Sequence, residues 1–263
     1  MERFTRVLIT GASSGIGRAL AEALARPDAV LHLGGRDPGR LREAADACRG
    51  RGAEVHEALI DVRDAPAMAG WIGGAGRLDL IIANAGISAG AEDGAAEPAA
   101  QARAIFATNL DGMLNTALPA IEALAAQAPD AKGVRGHLAV VASIGAFVPA
   151  PGAPAYCAAK AAVDAWTIGN RQAARRRGVK LTSICPGYVR TPMTAANRFP
   201  MPGLMDAERA AALILRGLAA GRARIAFPWW LYAAARLAAL LPPGLLTALL
   251  ATAPGKAAAP QHG

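Results

Sequence analysis

The chain has 263 residues, of which 53% are hydrophobic and 18% charged, enough for one sizeable core and too apolar for a disordered protein. Its net charge of +8 comes from scattered arginines, the densest run being Arg175-Arg176-Arg177, with no basic tract interleaved with aromatics. That pattern describes a solvated surface and argues against a nucleic-acid partner. Cys48, Cys157 and Cys185 form no CxxC, and the four histidines lack ligand spacing, so reduced thiols in a cytoplasmic protein are expected and no metal. The opening "MERFTRVLITG" leads into a strand with no room for a signal peptide.

In chain order, "RVLIT" is predicted as a strand and "GIGRALAEALAR" as a helix, followed by the strand "AVLHLGG" and the helix "GRLREAADACRGR". "EVHEALI" and "LDLIIANAG" are the third and fourth strands. A long helical section from about Ala99 to Ala128 precedes the strand "HLAVVAS", a helix from about Pro154 to Gly178 and the strand "VKLTSICPG". After a helix around Asp206 to Gly221, "RIAFP" can be the last strand. Strands that are apolar throughout and alternate with helices predict an α/β fold: one Rossmann-type doubly wound parallel sheet of about seven strands, helices on both faces. No repeat or linker divides the chain, which reads as a single unit with a core over about 5–227.

"TGASSGIG" joins the first strand to the first helix, the context a dinucleotide site requires. Glycines 11, 15 and 17 permit a tight turn and close backbone approach, and the helix N-terminus offers free N–H groups to a pyrophosphate. Gly11, Ser13, Ser14, Gly15, Ile16 and Gly17 are the candidate cradle. After the second strand, an acid would accept from a ribose 2′-hydroxyl, whereas an arginine would pair with a 2′-phosphate. The chain has Gly35 there, then Arg36, with Asp37 one place later in the turn. NADP is therefore expected in preference to NAD, with Ser13 and Arg40 adding contacts.

"PAYCAAKAAVDAW" places Tyr156 and Lys160 one turn apart on a helix face, and Ser143 ends the strand before it. With five serines, three tyrosines and four lysines in the chain, the Ser-x12-Tyr-x3-Lys pattern is expected by chance on the order of 0.001 times. A phenol has an ordinary pKa near ~10; Lys160 and an oxidised nicotinamide both favour phenolate, which makes Tyr156 a general acid/base. Ser143 can hydrogen-bond a substrate oxygen.

Taken together, "TGASSGIG", Asp61-Val62, "NAG" at 84–86, Asn109, Ser143, "YCAAK" at 156–160 and "PGYVRT" at 186–191 resemble the short-chain dehydrogenase/reductase family from about Thr5 to Thr191. The resemblance implies an NAD(P)-dependent oxidoreductase interconverting a carbonyl and an alcohol. It assigns Lys160 a second task on the nicotinamide ribose and puts Asn109 in a water-borne proton relay. Asp61 and Val62 would lie by the adenine, and Asn84, Ala85 and Gly86 behind the ribose. Pro186, Gly187, Val189 and Thr191 would hold the carboxamide. It further implies a homodimer through the helices 99–128 and 154–178, and a lid after Thr191, "PMTAANRFPMPGLM", whose Pro, Met and Phe suggest an apolar or amphipathic substrate. Two rivals are weighed. A non-catalytic NADP-binding regulator or scaffold has no use for Tyr156, and a nucleotide-sugar epimerase or dehydratase fits the chain length and glycine spacing poorly.

The chain departs from the family at its end. Trp229 to Leu241 and Gly244 to Leu250 are expected as two short helices broken by Pro242-Pro243, in an apolar extension over 228–252. Neither helix approaches the roughly 20 residues that span a bilayer. A membrane-surface hairpin with Trp229 and Trp230 at the interface and Arg222 and Arg224 nearby, a cover over the site, and a subunit contact all remain open. The final residues, 253–263, read as a disordered end.

Overall fold

The computed structural model describes residues 4–90, 96–195, 197 and 199–250; the expected disordered end and residues 251 and 252 of the expected extension lie outside them. The elements run β1 (Arg6–Thr10), α1 (Gly15–Leu24), β2 (Val30–Gly35), α2 (Pro38–Arg49), β3 (Glu54–Leu59), α3 (Ala65–Gly74), β4 (Leu80–Ala83) and α4 (Ala99–Phe106). A π-helical turn (Ala107–Asp111) joins α4 to α5 (Gly112–Ala126). Next come β5 (Gly136–Val141), a 3-10 turn (Ile144–Phe147), α6 (Pro154–Arg176), β6 (Val179–Pro186), β7 (Val189–Arg190), α7 (Pro192–Ala195) and β8 (Met205–Asp206). The last elements are α8 (Ala207–Ala219), β9 (Arg224–Phe227), α9 (Trp229–Ala238) and α10 (Pro243–Leu250).

Seven parallel strands form one sheet in the order β3-β2-β1-β4-β5-β6-β9, and β7 pairs with β8 alone. The expected doubly wound sheet is present. Strand order reverses between β1 and β4, whose registered pairs Val7–Leu80 and Ile9–Ile82 bring the ends of both strands to one crevice. Side chains alternate between two cores, as the pleat requires. Val7, Ile9, Leu80, Ile82 and Ile184 pack under α1, α2 and α8, whereas Leu8, Ile81, Leu138, Val140 and Cys185 pack under α3, α5 and α6.

Local chemistry fixes the helix starts. Asp37 caps α2 by accepting from the Arg40 N–H at 2.9 Å, and Asp64 caps α3 through the Ala67 N–H at 3.0 Å. Pro154 opens α6 at a position where no backbone N–H is needed. The helical section expected over 99–128 is not one regular helix. Its π turn inserts a residue so that the Asn109 amide reaches the Ile87 backbone, accepting from its N–H at 2.8 Å and donating to its carbonyl at 2.9 Å. At the chain's end, Pro243 begins α10 rather than merely separating two helices.

Candidate active site

The turn after β1 is built for close approach. Gly11 (φ 66°) and Gly15 (φ 55°) occupy left-handed conformations that glycine adopts readily. Gly17 serves packing instead, since a side chain there would strike the Gly11 carbonyl and the Asn84 amide. Asn84 clamps the turn by donating to Thr10 O at 3.0 Å and Gly11 O at 3.1 Å. Ser14, the N-cap of α1, makes no side-chain capping bond, and the first turn of α1 holds no acid. The N–H groups at this end are left for an anion, so the cradle fits a pyrophosphate.

At the end of β2 three guanidinium groups gather. Arg36 lies 3.8 Å from the Asp61 carboxylate, which Arg63 holds through contacts of 2.6 to 3.1 Å. The Arg63 hydrogen bond outweighs burial and holds the Asp61 carboxyl below its ordinary value. Asp37 is engaged as the cap of α2 and receives the Arg40 Nε at 2.8 Å. Arg36, Asp37, Arg40, Asp61 and Arg63 all face the cleft described below.

At the carboxyl end of β5, Ser143 caps the 3-10 turn. Its hydroxyl accepts from the Gly145 N–H at 3.0 Å and donates to Pro186 O at 3.5 Å. Lys160 is buried and donates to Val141 O at 2.7 Å, with Nζ 6.0 Å from the centre of the Tyr156 ring. Burial pushes the ammonium down to about 8. Burial likewise pushes the Tyr156 phenol up to about 12, with the Ser143 hydroxyl opposing the rise. The protein's own groups thus leave the phenol protonated at neutral pH, and the downward shift expected from Lys160 does not prevail over desolvation.

Every candidate residue named from the sequence except Gly17 and Asn109 lines a single cleft of about 810 Å³. Asn109 lies behind it, its amide within reach of Gly86 and bound to Ile87. Sequence reasoning missed Arg63, Ile87 and Thr108, which share the cleft with Met193 of the expected lid segment. Arg63 directly follows Asp61-Val62 and Ile87 follows "NAG", so adjacency was the available signal. Thr108 reaches the cleft from the π turn, which no sequence pattern announces.

A doubly wound sheet with a glycine cradle at its switch point defines a dinucleotide-binding α/β protein. Residues 5–200 match the family profile described as short chain dehydrogenase. The chain belongs to the short-chain dehydrogenase/reductase family, a class of oxidoreductases. Over 249 residues it is 36% identical to an uncharacterized oxidoreductase of Myxococcus xanthus, covering 93% of this chain and 96% of that one. Its fold resembles a short-chain dehydrogenase/reductase from Burkholderia phymatum in complex with NAD, with a TM-score of 0.80, 25% identity and coverage of 90% and 94%. It also resembles a short-chain dehydrogenase from Sphingobium yanoikuyae in complex with NADPH, with a TM-score of 0.77, 25% identity and coverage of 98% and 100%.

Proposed function

We propose that the chain is an NADP-dependent oxidoreductase interconverting a carbonyl and an alcohol, with Tyr156 as general acid/base. The observation that carries this reading is the opening of Ser143, Tyr156 and Lys160 onto the same cleft as the glycine cradle. A bound nicotinamide dinucleotide supplies the hydride. The chain's part is to hold the carbonyl oxygen against the Ser143 hydroxyl and to deliver the Tyr156 Oη proton to it. A phenol at about 12 is in the donor form that carbonyl reduction requires. Lys160 holds positive charge beside it and is the group for the nicotinamide ribose. Because the Asn109 amide is committed to Ile87, its share in a proton relay falls to its backbone carbonyl.

The NADP preference is supported by the absence of a free acid at the end of β2. Asp37 is engaged with Arg40 and Asp61 with Arg63, while the half-exposed Arg36 guanidinium faces the cleft. An apolar or amphipathic substrate is supported by Met193 in the cleft wall and by Phe199 packed edge-on against Tyr188 at 6.1 Å. We further read residues 5–227 as one dinucleotide-binding unit extended by 228–252, in a cytoplasmic homodimer joined through the outer faces of α4, α5 and α6. Exposed Phe106 and Leu118 support that contact, and the buried free thiols support a reducing compartment. Sedimentation velocity reads the oligomeric state.

The direct test follows NADPH and NADH oxidation across aldehydes, ketosteroids, 3-ketoacyl compounds and keto-sugars. Turnover of at least one class with NADPH preferred is expected. Tight NADPH binding without turnover of any class would replace this reading with the regulatory one.

A further inference from the structure

We propose that the outward face of α9 and α10 docks on an anionic lipid surface and turns the substrate end of the cleft toward the bilayer. Six of the ten exposed large hydrophobic side chains among the described residues fall between 229 and 249. Trp229 and Leu240 are 76% and 80% exposed, and Trp230, Leu237, Leu245 and Leu249 are exposed with them. Their spacing is that of two amphipathic helices. Trp230 and Leu237 lie two turns apart on the outer face of α9, Leu245 and Leu249 one turn apart on α10, while Ala235 and Leu246 point inward. With 10 and 8 residues, neither helix crosses a membrane, and no helix among the described residues is long and apolar enough to do so. Helices of this kind lie in the headgroup region with tryptophan at the boundary.

Charge selects the occupant. No aspartate or glutamate follows Glu208, whereas residues 209–263 carry five arginines and one lysine. Arg222 stands exposed just before β9, and Arg236 on α9 is exposed as well, its guanidinium 5.5 Å from the Phe147 ring at the edge of this face. A two-fold pairing of this face with a second copy would set one cation-bearing surface against another, with no acid in residues 209–263 to answer it. An anionic headgroup layer answers both the cations and the leucines. Arg224, named with Arg222 as a candidate for the interface, does not contribute, because Asp164 holds it inside.

The docked face adjoins the site. Leu231 lies 3.1 Å from where a side chain on Gly187, in the cleft wall, would begin, and Trp230 is equally placed against Gly203 at 3.0 Å. Tyr232 packs edge-on against Phe147 at 5.2 Å, in the turn that Ser143 caps. Helix α9 is therefore a wall between the lid segment and the Ser143 turn. Docking through it puts the cleft beside the acyl region, from which an apolar carbonyl compound can be drawn; this substrate clause rests on the proposed oxidoreductase reading.

The test is co-sedimentation of the full chain with vesicles of phosphatidylcholine and of phosphatidylcholine mixed with phosphatidylglycerol. Binding to the mixed vesicles, weakened by salt, is expected. The double variant Leu240→Glu, Leu249→Glu should lose roughly tenfold or more of that binding, with unchanged circular dichroism and thermal unfolding because both positions are exposed. Arg222→Gln should weaken binding to the anionic vesicles alone. Failure to sediment with either vesicle, or equal sedimentation of the double variant, overturns the proposal. So does a dimer that the double variant splits without any lipid binding, which would make a second copy the occupant. Vesicle binding is read without substrate, so its failure and a failure of turnover are separate results.

Discussion

Arg224 grips Asp164 through two parallel hydrogen bonds, Nε to Oδ1 at 2.9 Å and Nη2 to Oδ2 at 2.7 Å. The pair ties β9 to α6 one turn beyond Lys160. The Ser183 hydroxyl also donates to Asp164 Oδ1, at 2.7 Å, and the Arg224 guanidinium lies 5.3 Å from the Phe147 ring. One buried network thus joins α6, β6, β9 and the turn that begins at Ser143.

Removing one partner strands a buried charge, so Arg224→Ala is expected to cost about 3 kcal/mol in urea unfolding. The double variant Asp164→Leu, Arg224→Met should recover much of that loss, because no unpaired charge remains. Burial alone would raise the Asp164 carboxyl, but Arg224, Ser183 and Cys185 hold it below its ordinary value. A depressed folded pKa means that the pair stabilises the fold above the unfolded carboxyl's pKa and is lost as pH falls through the folded one. A cost for Arg224→Ala no larger than an exposed arginine's would contradict this account.

Tyr156→Phe removes the proton donor and leaves the shape of the cleft. Turnover is expected to fall by roughly 10²-fold or more, the contribution of a positioned acid. NADPH affinity, read by fluorescence titration, should stay within about threefold, since the loss belongs to the reacting state. Near-normal turnover in this variant would refute the assigned role.

Arg36→Ala tests cofactor choice. A charge-assisted hydrogen bond contributes about 1.5–3 kcal/mol, so KM for NADPH should rise roughly tenfold or more. KM for NADH should change little, since NADH has no 2′-phosphate. An equal effect on both cofactors would show that Arg36 does not read this group.

His137 predicts an acid limit to stability. Its Nε2 lies 2.8 Å from Thr182 Oγ1, and that hydroxyl donates to Arg222 O at 2.7 Å. Nε2–H is therefore the donor, and Nδ1 is buried without a partner among the described residues. Burial, with Lys180 and Arg171 adding to it, pushes the imidazole down to about 3. Below an ordinary pKa near ~6.5 the unfolded chain binds a proton that the folded chain refuses, so stability falls with pH down to the folded value. This residue should account for about 2 kcal/mol lost between roughly pH 7 and 5. Urea midpoints of His137→Gln should lose that much less over the same interval; an identical loss would remove His137 as the cause.

Much of the sheet is legible in the sequence because buried parallel strands such as "RVLIT" and "HLAVVAS" are apolar throughout and the glycine turn punctuates them. Tyr156 and Lys160 are legible because helical periodicity alone puts them on one face. The π turn is not, since it exists to bring Asn109 to Ile87, a partner 22 residues away. Nor is the Arg63–Asp61–Arg36 cluster, whose members come from separate strand ends brought together by the pairing of β2 with β3. The direction of the Tyr156 shift also escapes the sequence. Spacing names the neighbouring cation, but only packing sets how far the phenol is removed from water.

By itself the sequence determined the seven strands of the main sheet, most of the helices between them, the glycine cradle and the spacing of Ser143, Tyr156 and Lys160, because these are matters of local propensity and period. It did not determine α3, β7, α7 or β8. The tertiary structure decided which charges are spent and which are free. It committed Asp37 to a helix cap, Asp61 to Arg63 and Arg224 to Asp164, 60 residues away in the chain. It also decided that α9 packs between Gly203 and Phe147 with Leu231 inward and Leu237 outward. Such outcomes depend on long-range contacts, whose cost in chain entropy is met only when the whole core forms.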